Sequence, residues 1–225
     1  CDNTPIEDQG VAQFAPSATI EDYPEIDLFG YMKTTKGEGQ TTRSATVRLS
    51  NAIALEPYTS DIDFLTNMGI AKRAGLNNAI AQSEIHSSLY TYTIAIDLDR
   101  VGIDGDITVN KEERAERVKK LLDTIEFLYR DIKGRRENMS PVFAIGGLYE
   151  RKNPYFENRI KSDRMKLDVE MIDSVIQSSD DTKNNTHVGM LKGKFANEEE
   201  INKLEPVTIS EVFAILKKEV DEYYA

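Results

Sequence analysis

Tyr90, Tyr92, Ile94, Ile96 and Leu98 alternate with Thr91, Thr93, Ala95 and Asp97, and a short way downstream the apolar period changes. Ala115, Val118, Leu121, Leu122, Ile125, Leu128 and Tyr129 recur at helical spacing. A chain that passes from a period of two to one of about 3.6 places a strand before a helix, which rules out an all-α or all-β fold. Asn110 stands where an N-cap belongs, with Glu113 three residues on, and Gly134 stands where the helix is expected to end. A second helix is written into the end of the sequence. Thr208 and Glu211 have capping-box spacing, and Ile209, Val212, Phe213, Leu216, Val220 and Tyr223 form an apolar stripe.

The remaining segments add strands and one long elaboration. Residues Cys1 to Pro24 are polar and proline-rich and read as a loop or arm. Ile26 to Met32 reads as a strand in which Gly30 marks a bulge or a close backbone approach. Lys33 to Arg43 has turn chemistry, Ala45 to Leu55 returns to β composition, and Tyr58 to Leu76 has no clear period. Residues 33–84 are thus expected to form a large insertion, longer than a purely structural loop. Val142 to Tyr149 predicts a strand interrupted at Gly146 and Gly147, and Leu167, Val169 and Met171 predict another. The order corresponds to an α+β fold, a ferredoxin-like or RRM-like sheet in one domain over residues 1–225, without the sheet's first strand and helix. The chain opens on Cys1 rather than Met, so residues upstream of it are expected in the complete protein.

Catalytic chemistry finds little support. Cys1 is the single cysteine and His86 and His187 are the two histidines, which leaves no Cys/His zinc site and no disulfide. Neither a phosphate-binding loop nor a dinucleotide fingerprint occurs, and no cofactor is expected. The acids Asp97, Asp99, Asp104 and Asp106 do not keep calcium-loop order. His86 beside Ser87 and Ser88, with Glu84 as an orienting carboxylate, is weaker as a nucleophile system than as a packing histidine. No signal peptide or bilayer-length apolar run is present, and the cytoplasm is the expected location.

Net charge is −11, which opposes any nucleic-acid binding through the global field. Binding would require the cations to converge on one surface. Arg43, Arg48, Lys72 and Arg73 form one sparse group; Arg135, Arg136, Arg151, Lys152, Arg159, Lys161, Arg164 and Lys166 form another. The acids collect elsewhere, at Glu21 to Asp27, Asp97 to Asp106 and Glu198 to Glu200.

Three segments together resemble a known family. They are Asp27-Leu-Phe-Gly-Tyr-Met32, Thr41 to Tyr58 continuing to Asp61-Ile-Asp-Phe-Leu-Thr-Asn-Met-Gly69, and Glu84-Ile-His-Ser-Ser-Leu-Tyr-Thr-Tyr92, with Asn153-Pro-Tyr-Phe156 as a further match. The chain from Tyr23 to Phe156 is similar to the DevR-type autoregulators among CRISPR-associated proteins, the crRNA-binding backbone subunits of subtype I-B Cascade. The resemblance implies a modified RRM-like palm with a large RNA-binding insertion, many copies lining one guide RNA, and no catalysis. It implies as partners the crRNA, other copies of the chain, other Cascade subunits and, through the guide, target DNA. Phosphate contacts fall to Arg43 and Arg48, neutral donors to Ser44 and Ser50, and further RNA contacts to Lys72, Arg73 and His86. Because any spacer must be accepted, these contacts should fall on phosphate and sugar. Two other readings are a metal-dependent ribonuclease, needing Asp61, Asp63 and His86 around one divalent ion, and a regulator that acts by protein contacts alone.

Overall fold

The computed structural model describes residues 6–8, 11–13, 17–35, 39–66, 73, 75, 80–132 and 134–225. Among these are six α-helices and a set of short antiparallel strand pairs, a mixed α and β architecture. Both capping signals do what the sequence predicts. The Asn110 side chain accepts from the Glu113 N–H at 2.8 Å and starts the helix Lys111–Glu126. Thr208 and Glu211 exchange both capping-box bonds at the head of Ile209–Tyr224.

These two helices pack on each other and carry the main core. Ala115, Val118 and Leu122 meet Val212, Phe213 and Val220, and Leu28, Val47, Leu98, Val101 and Tyr224 close the cluster. Tyr224, rather than Tyr223, completes the buried stripe of the last helix; Tyr223 is exposed. Two strand pairs lean on the same core, Val47–Leu49 with Ile94–Ile96 and Phe143–Gly146 with His187–Met190. The last helix crosses the second pair closely, since a Cβ on Gly189 would lie 2.7 Å from a Val212 methyl.

Several short segments differ from the sequence reading. The segment read as a strand from Ile26 is the helix Pro24–Phe29, followed by the strand Tyr31–Thr35. Pro24 opens that helix, where a missing N–H is harmless, and Gly30 ends it at φ 75°. Tyr31–Thr35 pairs with Gly39–Arg43, so the turn-rich stretch from Lys33 belongs to a hairpin. The N-terminal arm also contains a hairpin, Ile6–Asp8 with Val11–Gln13, and Ile20 beyond it is fully buried. Gly134 caps no helix: Phe127 caps Lys111–Glu126, and Gly134 sits in the turn between Tyr129–Ile132 and Arg135–Asn138. Leu167 ends a two-residue strand, after which Asp168 caps the helix Val169–Ile176 with a 3.0 Å bond from the Met171 N–H.

Two tyrosines give the fold an alkaline limit. The Tyr224 hydroxyl donates to the Leu98 carbonyl at 2.5 Å, and the Tyr149 hydroxyl lies 2.9 Å from that of Thr186. Burial above all pushes both phenols up to about 12. A folded-state value raised above the unfolded value of about 10 contributes stability that is complete below pH 10 and is lost as pH rises through 12. Urea midpoints measured against pH should therefore fall across that window. Tyr224→Phe should be less stable by about 1 kcal/mol at neutral pH, having lost a hydrogen bond, and should fall less steeply in alkali.

Candidate nucleic-acid interface

The segment from Val47 runs outward along the segment that ends at Ile96 as one antiparallel ribbon. Ile94 faces Leu49, Ile53 faces Thr91, and Ser60–Thr66 faces Ile80–His86 from Ser60↔His86 to Thr66↔Ile80. The extended register shifts between the pairs, so the single strand expected over Leu89 to Leu98 is split into Tyr90–Thr91 and Ile94–Ile96. Ser60–Thr66, where the sequence has no clear period, is one of the ribbon's longest strands.

At the base of this ribbon the chain builds a buried ionic knot. The fully buried Asp27 carboxylate accepts from Arg43 at 2.6 Å, from Arg117 at 3.0 Å and from the Gly102 N–H at 2.9 and 2.8 Å. Arg43 also donates to the Ile103 carbonyl at 2.6 Å and lies 3.6 Å from Asp104. It is not on the surface. A buried guanidinium whose two Nη groups donate to a carboxylate and to carbonyls is turned away from any phosphate outside, so the structure places Arg43 in a structural role and not at the expected phosphate contact. The neighbours of Asp27 lie far away in sequence, which hides the knot from any local pattern.

Arg48 is placed differently. Its side chain is 55% exposed and reaches the Asp97 carboxylate at 3.1 Å. Asp97 is buried and also receives Arg100 at 3.6 Å and Lys152 at 3.9 Å, both half-exposed. Lys152 spans to Asp99 at 2.7 Å, and this hydrogen bond is the chief cause that holds the Asp99 carboxyl below its usual range. One buried carboxylate thus gathers three cations whose outer faces meet solvent. Arg48 and Lys152 come from separate basic groups of the sequence, and the fold brings them together. Arg100 was not singled out by the sequence, although its i+3 spacing from Asp97 is a usable signal.

The other expected contacts are scattered. Ser44 is exposed. The Ser50 hydroxyl accepts from the Thr93 N–H at 2.8 Å and donates to the Asn51 carbonyl at 3.1 Å, so it ties the two sides of the ribbon together. Arg73 is exposed, and Lys72 lies outside the described residues. His86 sits farther along the ribbon, stacked on Tyr58 with ring centres 5.0 Å apart and 28° between planes. Its Nδ1 is 2.5 Å from the Tyr90 hydroxyl. Asp61 and Asp63 are exposed opposite Ile85 and Ser83, and no group of three or more potential metal ligands occurs among the described residues. No helix among the described residues is long and apolar enough to cross a membrane.

Comparison with known proteins gives one family. The sequence model described as "CRISPR-associated negative auto-regulator DevR/Csa2" matches residues 5–166, a span that contains the ribbon, the ionic knot and the cations around Asp97. A comparison with curated proteins gives no match.

Proposed function

Because the chain belongs to the CRISPR-associated DevR/Csa2 family, we propose that it is a non-catalytic subunit that binds crRNA and assembles with further copies of itself into the backbone of a Cascade complex. The observation that carries this reading is the cation group on Asp97. In a chain of net charge −11, phosphate can be held only where cations are concentrated locally, and Arg48, Arg100 and Lys152 are so concentrated. Buried Asp97 lies within 4 Å of all three heads, Asp99 holds Lys152 beside it, and the exposed sides of the three remain open to phosphate oxygens. Contacts of this kind read no sequence, which suits a subunit that must accept any guide.

An RRM-like palm is part of the same proposal. It is supported by two long helices and two strand pairs that meet in one core, with residues 33–84 as the large insertion. The other subunits of the complex, and target DNA reached through the guide, are the partners this reading implies.

The test is binding of an unstructured single-stranded RNA across a salt series. Three phosphate contacts predict a slope of log K against log salt of about −2, and each lost contact lowers its magnitude by about 0.7. Arg48→Ala should weaken binding to all sequences alike and reduce the slope by that amount. It leaves Asp97 with Arg100 and Lys152, so the melting temperature should stay near that of the wild type. Absence of salt-dependent RNA binding would overturn the proposal and favour a regulator that acts through protein contacts.

A further inference from the structure

Three aromatic rings stand together on the ribbon beyond the cations. Tyr58 is 69% exposed, His86 stacks against one of its faces, and Tyr90 meets His86 edge-on with centres 5.8 Å apart and 86° between planes. The Tyr90 hydroxyl at Nδ1 fixes the imidazole ring, and the ring in turn fixes Tyr58. Strand pairing holds His86 opposite Ser60 and Tyr90 opposite Ala54, and Tyr58 lies in the short loop between those two partners, with the Leu55 N–H bonded to the Leu89 carbonyl at 2.8 Å. Large aromatic surface left in water is unfavourable, and a ring immobilised from behind by a second ring loses little entropy when something flat covers it.

We infer that Tyr58, backed by His86 and Tyr90, is a stacking platform for one unpaired nucleobase of the bound RNA. The inference rests on the RNA-binding reading above and adds a contact of a different chemistry to it. Tyr58 offers a π-face that extends an existing stack, and the ligand that continues such a stack at van der Waals distance is a planar ring. Stacking is tolerant of sequence because every base has such a face, so the platform is compatible with arbitrary guides. It lies along the same ribbon as the phosphate site: Arg48 faces Ala95 and Ala54 faces Tyr90, five residues apart, at most about 17 Å of extended chain. That is a span of a few nucleotides. A protein partner seated on the same rings is the competing occupant. The mixed composition, with two hydroxyls and an imidazole among the rings, favours a base over an aliphatic protein surface.

The test uses the full chain with two RNAs of the same length and backbone, one carrying normal bases and one with abasic sites. The wild type should bind the base-bearing RNA roughly five-fold to a hundred-fold more tightly. Tyr58→Ala should lose most of that advantage, Tyr58→Phe should keep it, and neither should change the salt slope. Tyr58 is exposed, so both variants should melt with the wild type. If Tyr58→Ala binds both RNAs as the wild type does and the salt slope is intact, the platform is overturned while the phosphate reading stands. If no RNA binds at all, the platform falls together with that reading. If Tyr58→Ala alters only self-association in sedimentation, the rings serve a second copy of the chain and the inference is overturned.

Discussion

Asp27→Ala should destabilise the chain by about 3–5 kcal/mol, the loss typical of removing one partner from a buried ion pair. For a domain of this length that corresponds to a fall in melting temperature on the order of 10 °C. Asp27 is fully buried and accepts from two buried guanidiniums and one backbone N–H. Without it, Arg43 keeps the Ile103 carbonyl at 2.6 Å and Arg117 keeps Glu113 at 3.1 Å and the Ile20 carbonyl at 2.7 Å. The counter-charges that remain are the partly exposed Asp104, 3.6 Å from Arg43, and the half-exposed Glu113 on Arg117, and the Gly102 N–H loses its acceptor. Asp27→Asn keeps the shape and removes the charge, so it should fall between Asp27→Ala and the wild type. Asp61→Ala, at an exposed position, should leave the melt unchanged. A thermal melt of Asp27→Ala within a degree or two of the wild type would show that the knot contributes nothing and that Arg43 is available for another role.

Helices with strong local signals were the legible part of this fold. Asn110 and Thr208 each satisfy a nearby N–H three residues on, a contact that depends on nothing distant. Short alternating runs were not legible, because a run of about six residues fits a strand or a helical turn equally well. Ile26 and Leu28 suggested a strand, but both are buried from a helix, and so is the charged Asp27 between them. Leu167, Val169 and Met171 misled in the same way, with Asp168 acting as the cap that separates strand from helix.

The candidate site was legible in its residue types and not in their roles. Arg43 and Arg48 have the same charge and lie on neighbouring strands, yet one meets buried Asp27 and the other emerges beside Asp97. What separates them is which carboxylate lies opposite, and that is fixed by contacts 16 residues apart for Arg43 and 49 apart for Arg48. The link of Tyr58 and Tyr90 to His86 depends on the shifted register of the ribbon, which no periodicity records. Gly30 does mark a close backbone approach. A Cβ there would lie 2.4 Å from the Arg43 carbonyl oxygen and 2.8 Å from the Ala45 nitrogen.

Gly30→Ala should therefore have the second large effect on stability, larger than that of Gly105→Ala for two reasons, its backbone conformation and its crowding. Both glycines have positive φ, 75° and 58°, but Gly30 at ψ 179° lies outside the left-handed well in a region essentially reserved for glycine, so its alanine variant carries a backbone cost of about 1–3 kcal/mol against about 1 kcal/mol at Gly105. At Gly105 nothing lies within 4 Å of the new methyl, and its cost should stop there. At Gly30 the obstruction is backbone, which no rotamer change relieves, so the strand ending at Arg43 must move away from the helix Pro24–Phe29. That displacement pulls the Arg43 guanidinium off Asp27, and the total loss should reach about 3 kcal/mol or more. Since the two lesions break the same contact, Gly30→Ala and Asp27→Ala should be less than additive in a double-mutant cycle, whereas Gly105→Ala and Asp27→Ala, with no contact in common, should add more nearly. Urea melts of the five variants give both interaction energies. Equal losses at Gly30 and Gly105 would mean that the helix and strand can separate at no cost, and the ionic knot would then not be what anchors the ribbon and its cations to the core.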